Sequence, residues 1–233
     1  MTDNIISITS RLQNYLEFLS DLGFKGFDCS EKTLETLKSW RQDPFSNYET
    51  LSDIKKELNE CQKCRLAASD NQAIMGAGKP GARLMFIGGW PEPEDGASGR
   101  PYSGKAGELL ARIIEAMNLS ADEVYISYAL KCRPADNAQP AAANVRICCR
   151  YVLQEIDIVK PHIICTLGDL AASALLGSQV PWGELRGRFQ NYKDTPVMPT
   201  FSPEHLLDNP SAKRETWDDI KRILNALSKM SLT

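Results

Sequence analysis

The sequence predicts an α/β protein, a three-layer α/β/α sandwich around a short parallel sheet, with a helical extension at its N-terminus. Two observations predict it. Short apolar runs at residues 83–88, 124–129, 162–167 and 195–201 alternate with longer stretches of helical character, and strands separated by helical crossovers form parallel sheets covered on both faces. Upstream of Asp43-Pro44, Leu12, Tyr15, Leu16, Leu19 and Leu22 recur at helical spacing. That stripe belongs to a helix that needs a surface to pack on.

The elements follow in order. Residues 1–45 form the extension, with Gly23 and Gly26 ending its first helix and a second helix over 31–41. Residues 46–233 form the α/β domain. It opens with a polar helix over 48–60 and the first strand over 83–88. A helix over 105–118 turns Leu109, Leu110, Ile113 and Met117 inward, and the second strand runs over 124–129. A long helix over 140–159 leads to the third strand, 162–167. Asp169 opens a short helix ending at Gly177, since an acidic residue suits a helix start. The last strand, 195–201, precedes a terminal helix over 212–228. Ligands of such sheets sit beyond the carboxyl ends of the strands, which singles out three loops: 88–104, 129–137 and 202–209.

Composition narrows the function. The 233 residues are 42% hydrophobic and 24% charged, normal for a globular chain with a sizeable core. Net charge is −3, and residues 1–50 carry 5 Lys+Arg against 8 Asp+Glu, leaving 22 of each beyond them. No bulk basic field exists, so any nucleic-acid contact comes from a local basic face. No apolar run is long enough for a membrane span and no signal-peptide pattern opens the chain. The expectation is a cytoplasmic, monomeric protein without membrane contact.

Seven cysteines in such a chain point to a reducing compartment, where CxxC spacing means metal or redox chemistry. Cys61 and Cys64 form one CxxC pair, which by itself admits zinc, an iron–sulfur cluster or a redox dithiol. The dithiol wants a thioredoxin-like βαβ context that is missing here. Cys132 and Cys148 are available to complete a four-thiol set, while Cys29, Cys149 and Cys165 read as small buried apolar residues.

Several blocks then carry a resemblance. These are Phe86-Ile87-Gly88, Gly88-Gly89-Trp90-Pro91-Glu92-Pro93-Glu94-Asp95, Gly99-Arg100-Pro101-Tyr102-Ser103-Gly104 and Ala106-Gly107-Glu108-Leu109-Leu110. Further on come Val124 through Lys131-Cys132-Arg133-Pro134, Leu167-Gly168, and Met198-Pro199-Thr200-Phe201-Ser202-Pro203 with Leu206-Leu207. Over residues 51–230 the chain resembles the iron–sulfur uracil-DNA glycosylases, the thermophile-type family four of that superfamily. Cys64 and Cys132 are 68 positions apart and Cys132 and Cys148 are 16 apart, like the family's ligands. The resemblance implies a structural [4Fe–4S] cluster held by Cys61, Cys64, Cys132 and Cys148. Of the adjacent pair it favours Cys148, three residues before Tyr151.

The resemblance also implies DNA, single- or double-stranded, as partner, and hydrolysis of the N-glycosidic bond of a flipped base. The family's site residues are largely replaced. Gly89 and Trp90 stand where its Gly-Glu-Ala-Pro-Gly loop has Glu and Ala. Tyr102 replaces the stacking Phe, Tyr128 the base-reading Asn, and Ser202 the His of His-Pro-Ser. Candidate catalytic groups are therefore Asp95 and Glu92, orienting water, with Ser202 or His205 donating to the base. Gly88, Gly89, Trp90, Tyr102 and Tyr128 would form the base pocket. Arg100, Lys105, Lys131, Arg133 and Arg186 are candidates for phosphate contact, with Arg188 beside the last. Three readings stay open: a glycosylase with altered base preference, a degenerate homologue that binds DNA or a base without cleavage, and a metal-stabilised domain serving another ligand.

Overall fold

The computed structural model describes residues 48–64, 66, 72–135, 138–177 and 181–230. The expected N-terminal extension lies outside the described residues. Helix α1 (Leu51–Asn59) opens at Thr50, whose side chain and that of Asp53 each accept the other's backbone N–H in a capping box. Strand β1 (Leu84–Gly88) follows, then α2 (Pro93–Ser98), α3 (Lys105–Ala116) and β2 (Val124–Tyr128). The long helix α4 (Ala142–Val159) leads to β3 (Ile163–Leu167) and α5 (Asp169–Leu176). A short turn of helix, α6 (Trp182–Leu185), precedes β4 (Gln190–Tyr192) and β5 (Thr195–Thr200). Helices α7 (Pro203–Asp208) and α8 (Lys213–Met230) close the chain.

The five strands are ordered β2-β1-β3-β5-β4. The first four run parallel, and β4 pairs antiparallel with β5. The sheet is therefore mixed, where the sequence led us to expect only parallel strands. The added strand is three polar, half-exposed residues turned back at Lys193, too short to register as an apolar run.

Side chains alternate across the sheet with the two-residue period of a strand. Met85, Ile87, Tyr125, Ile164 and Val197 meet Cys149, Val152, Ile156 and Val159 of α4 and Ala171 and Leu175 of α5. Leu84, Phe86, Val124, Ile163, Cys165 and Met198 face Leu110 of α3 and Ile220, Ile223 and Leu227 of α8. Two apolar layers with one sheet between them make the α/β/α sandwich. Fully burying each such side chain is worth about 1.5–3 kcal/mol. No helix among the described residues is long and apolar enough to cross a membrane.

This topology places a site. From β1 the chain steps outward to β2, then returns to lay β3 on the other side of β1. The connections leave in opposite directions at the carboxyl ends of β1 and β3, and the crevice opened there is where such sheets bind ligands.

Candidate active site

Two clefts open along that edge. The first, about 180 Å³, lies between the ends of β1, β3 and β5 and is lined by Gly89, Trp90, Glu92, Leu167, Gly168, Asp169, Leu170, Ser202 and Glu204. The second, about 290 Å³, lies on the β1–β2 side and includes Glu92, Glu94, Asp95, Tyr102, Lys105, Tyr128, Glu204 and Asp208. Glu92 and Glu204 border both.

The β1–β2 cleft is walled by a locked pair of tyrosines. The rings of Tyr102 and Tyr128 stack with centroids 4.9 Å apart and planes inclined at 25°. Tyr128 Oη donates to Asp95 Oδ2 (2.8 Å) and accepts from the Tyr102 backbone N–H (3.1 Å). Tyr102 adopts φ 57°, a left-handed conformation that costs an aromatic residue energy and persists only where its surroundings hold it. Gly88 lies beneath the pair: a Cβ there would stand 2.8 Å from the Tyr128 ring and collide with Tyr102 Oη. That Tyr102 hydroxyl is buried without a hydrogen-bond partner among the described residues.

Asp95 was expected to orient water, and the structure gives it a different task. Its carboxylate, 1% exposed, accepts from the Glu92 N–H (2.8 Å), the Ser103 N–H (2.6 Å) and Tyr128 Oη. These bonds cap α2, which begins at Pro93 with Glu92 as its N-cap, and tie it to the following loop. Three of its roughly four acceptor sites are thus taken by the backbone and by Tyr128.

Glu92 and Glu204 are in a different position. Burial, and next the nearby Glu204 carboxylate, raise the Glu92 carboxyl above the usual range, partly offset by Arg133. Burial likewise raises Glu204, opposed by its own backbone N–H and by Ser202, with Asp95 adding to the rise. Arg133 Nε lies 4.0 Å from Glu92 Oε2. Two crowded carboxyls facing one cleft, each resisting ionisation, are the arrangement from which acid–base chemistry is built. Sequence reasoning named Glu92 and missed Glu204. The signal was present, because Glu204 occupies the Ser position when Ser202-Pro203-Glu204 is laid on His-Pro-Ser.

Ser202 lines the first cleft and caps α7, its Oγ accepting from the His205 N–H (3.3 Å). The exposed His205 ring stacks on Phe201 at 4.6 Å and borders neither cleft. Of the expected phosphate contacts, Arg100 and Lys105 are exposed, and Lys105 lines the second cleft. Lys131 must be corrected. It is fully buried, with Nζ 2.7 Å from Glu155 Oε2 and 2.6 Å from Ser127 Oγ, so its ammonium cannot meet a phosphate. Arg186 is engaged by Glu215 (2.5 Å) and Asp219 (3.0 Å) and lies over the Phe201 ring, which neutralises it within the protein.

The four thiols named for a metal centre influence one another. Burial, and then Cys148, Cys64 and Cys61, push the Cys132 thiol up to about 12. Burial pushes Cys148 up to about 11, opposed by a hydrogen bond from the Lys131 N–H (3.1 Å). Tyr151 Oη donates to Cys61 Sγ (3.2 Å). Buried thiols cannot ionise unaided, yet two donors already aim at two of the sulfurs, the environment of a metal-bound thiolate. Four thiols are the donor type an iron–sulfur cluster takes, although among the described residues no three Cys, His, Asp or Glu side chains are arranged to hold a single metal ion. Cys149 instead donates to Ala174 O (3.4 Å), and Cys165 is buried inside β3.

Comparison with known proteins agrees with this architecture. Residues 75–221 match the model of the uracil DNA glycosylase superfamily. The chain belongs to that superfamily. It is 34% identical over 194 residues to a type-4 uracil-DNA glycosylase of Saccharolobus solfataricus, covering 79% of this chain and 90% of that protein. A type-4 uracil-DNA glycosylase of Sulfurisphaera tokodaii is also 34% identical, over 75% of this chain and 84% of its own length. One from Thermotoga maritima is 29% identical over 79% of this chain and 98% of its own.

Proposed function

We propose that the chain is a DNA glycosylase that receives a flipped, non-uracil base in the cleft between β1, β3 and β5 and hydrolyses its N-glycosidic bond. The observation that carries this reading is the paired carboxyls of Glu92 and Glu204 facing a cleft at the switch point of the sheet. The names of the similar proteins, uracil-DNA glycosylases, support DNA as the partner. Glu92 as carboxylate takes a proton from the attacking water, and Trp90 offers a ring face to the base. Ser202, at the position of the family's His, supplies a hydroxyl donor. Exposed Arg100 and Lys105 hold the flanking phosphates, with Arg133 beside them.

Within the same reading, Cys61, Cys64, Cys132 and Cys148 hold a [4Fe–4S] cluster that ties α1, the loop after β2 and α4 together. Bound there, it would supply structural cross-linking. Cys132→Ser should lower iron content and melting temperature together; unchanged iron and melting would remove Cys132 from the ligand set.

The test is incision of oligonucleotides carrying uracil, hypoxanthine, xanthine, 5-hydroxymethyluracil or an alkylated purine, read by alkali cleavage at abasic sites. Expected is product from at least one, falling about 100-fold or more in Glu92→Gln, the usual worth of a positioned general base. Because Glu92 is raised, the rate should fall on acidification at a higher pH than for an ordinary glutamate. A second reading, a base binder without cleavage, is favoured by the tyrosine stack at the positions of the family's stacking Phe and base-reading Asn. No product from any substrate, with salt-sensitive DNA binding, would select it.

A further inference from the structure

The first cleft has an unusual lining for a superfamily named for a neutral base. Glu92, Asp169 and Glu204 contribute three carboxyl groups, Trp90 an aromatic face, and no Lys, Arg or His is among its lining residues. The two residues that would stabilise negative charge on a departing pyrimidine, an Asn and a His in the family, are here Tyr128 and Ser202. Tyr128 Oη is committed to Asp95. Losing those donors is costly if the base leaves as an anion. It costs nothing if the base leaves neutral.

We infer that the base taken by this cleft is a purine alkylated on a ring nitrogen, which carries a positive charge while joined to the sugar. The inference rests on the proposed excision reading and names its substrate class. Acidic side chains and an indole face suit a cation, by ion pairing and by cation–π attraction. A neutral uracil gains neither. Burial raises both carboxyls, with Glu204 adding for Glu92 and Asp95 for Glu204, and the Arg133 guanidinium offsets only the first. A cation entering the cleft lowers that cost, so its binding and their deprotonation favour each other. The Trp90 lining is independent of the acids, and it is the side chain that replaces a small residue at this point of the loop.

The chemistry balances. The water oxygen bonds to C1′ as the C1′–N9 bond breaks, and its electron pair flows into the ring and cancels the positive charge. The base departs neutral, and the water's proton passes to the Glu92 carboxylate. No donor to the leaving group is required.

The experiment uses the full chain and one duplex sequence carrying 7-methylguanine, uracil or hypoxanthine at the same position. Expected is release of 7-methylguanine at least about tenfold faster than either neutral base, a margin of roughly 1.4 kcal/mol. Glu204→Gln, which keeps shape and removes charge, should cut that preference, and Trp90→Leu should cut it further than Trp90→Phe. Equal or faster release of uracil or hypoxanthine overturns the inference and leaves the excision reading intact. If no base is released, excision fails, and calorimetric titration with 7-methylguanosine against guanosine decides on recognition. Preference for the methylated nucleoside, lost in Glu204→Gln, upholds the cationic-base assignment; equal affinities overturn it.

Discussion

The two halves of the sheet's carboxyl edge have been treated differently. At β1–β2 the substituted residues are large: Tyr102 and Tyr128 stack above Gly88 and are fastened through Asp95. Around the first cleft they are of both sizes: Gly89 and Ser202 are small and Trp90 is large, with Glu92 and Glu204 on the walls. Both halves keep a cleft, about 290 Å³ beside the tyrosine stack and about 180 Å³ between β1, β3 and β5, but only the first is walled by rings fastened to one another. Acids three residues apart within α2's capping box divide the same way. Asp95 serves the fold and Glu92 faces the cleft.

The largest effect should come from removing the fastening of the tyrosine half. Asp95→Ala leaves the Glu92 and Ser103 N–H groups and the Tyr128 hydroxyl without their acceptor. Each buried group so abandoned costs about 1–3 kcal/mol, so we expect a loss of at least about 3 kcal/mol in urea unfolding. A midpoint unchanged within error would mean that the tyrosine half is not held by Asp95.

Adjacent glycines sharpen the contrast. Gly88→Ala drives a methyl into the Tyr102 and Tyr128 side chains, whereas a Cβ at Gly89 meets Leu170 at 3.6 Å, an ordinary contact. Overpacking should cost Gly88→Ala about 1–3 kcal/mol, with Gly89→Ala within about 0.5 kcal/mol of the parent. Thermal melts of the two variants side by side measure this, and equal melting temperatures would erase the distinction.

How much of this was readable beforehand follows the same line. The buried strands announced themselves, since Leu84–Gly88 and Ile163–Leu167 are continuous apolar runs buried on both faces. Short helices α2 and α7 did not, although each opens with Pro at its first turn after a residue in extended conformation. Strand β4 pairs with β5 alone and packs only Tyr192 against the core. The buried role of Lys131 depends on Glu155, which lies 24 positions away on α4. No local pattern reports a partner at that distance, so a buried ion pair reads in sequence as two surface charges. Glu204 was overlooked although its motif position pointed to it, since a lone acid after Ser-Pro also suits a helix start.

The smallest effect, and the finest test of the tyrosine half, is a pair of hydroxyl deletions. Tyr128→Phe removes a donor to Asp95 and the acceptor of the Tyr102 N–H, and should cost about 1–3 kcal/mol because the partners stay buried. Tyr102→Phe removes a hydroxyl that is buried with no partner among the described residues. Its desolvation is uncompensated in the folded protein, so its loss should be neutral or stabilising by up to about 1 kcal/mol. Both rings keep their stacking. Opposite signs in paired urea titrations would place the strength of the tyrosine half in the Tyr128–Asp95 bond. Equal destabilisation would instead mean that the Tyr102 hydroxyl finds a partner in solution, and that the edge between β1 and β2 is wetter than its packing indicates.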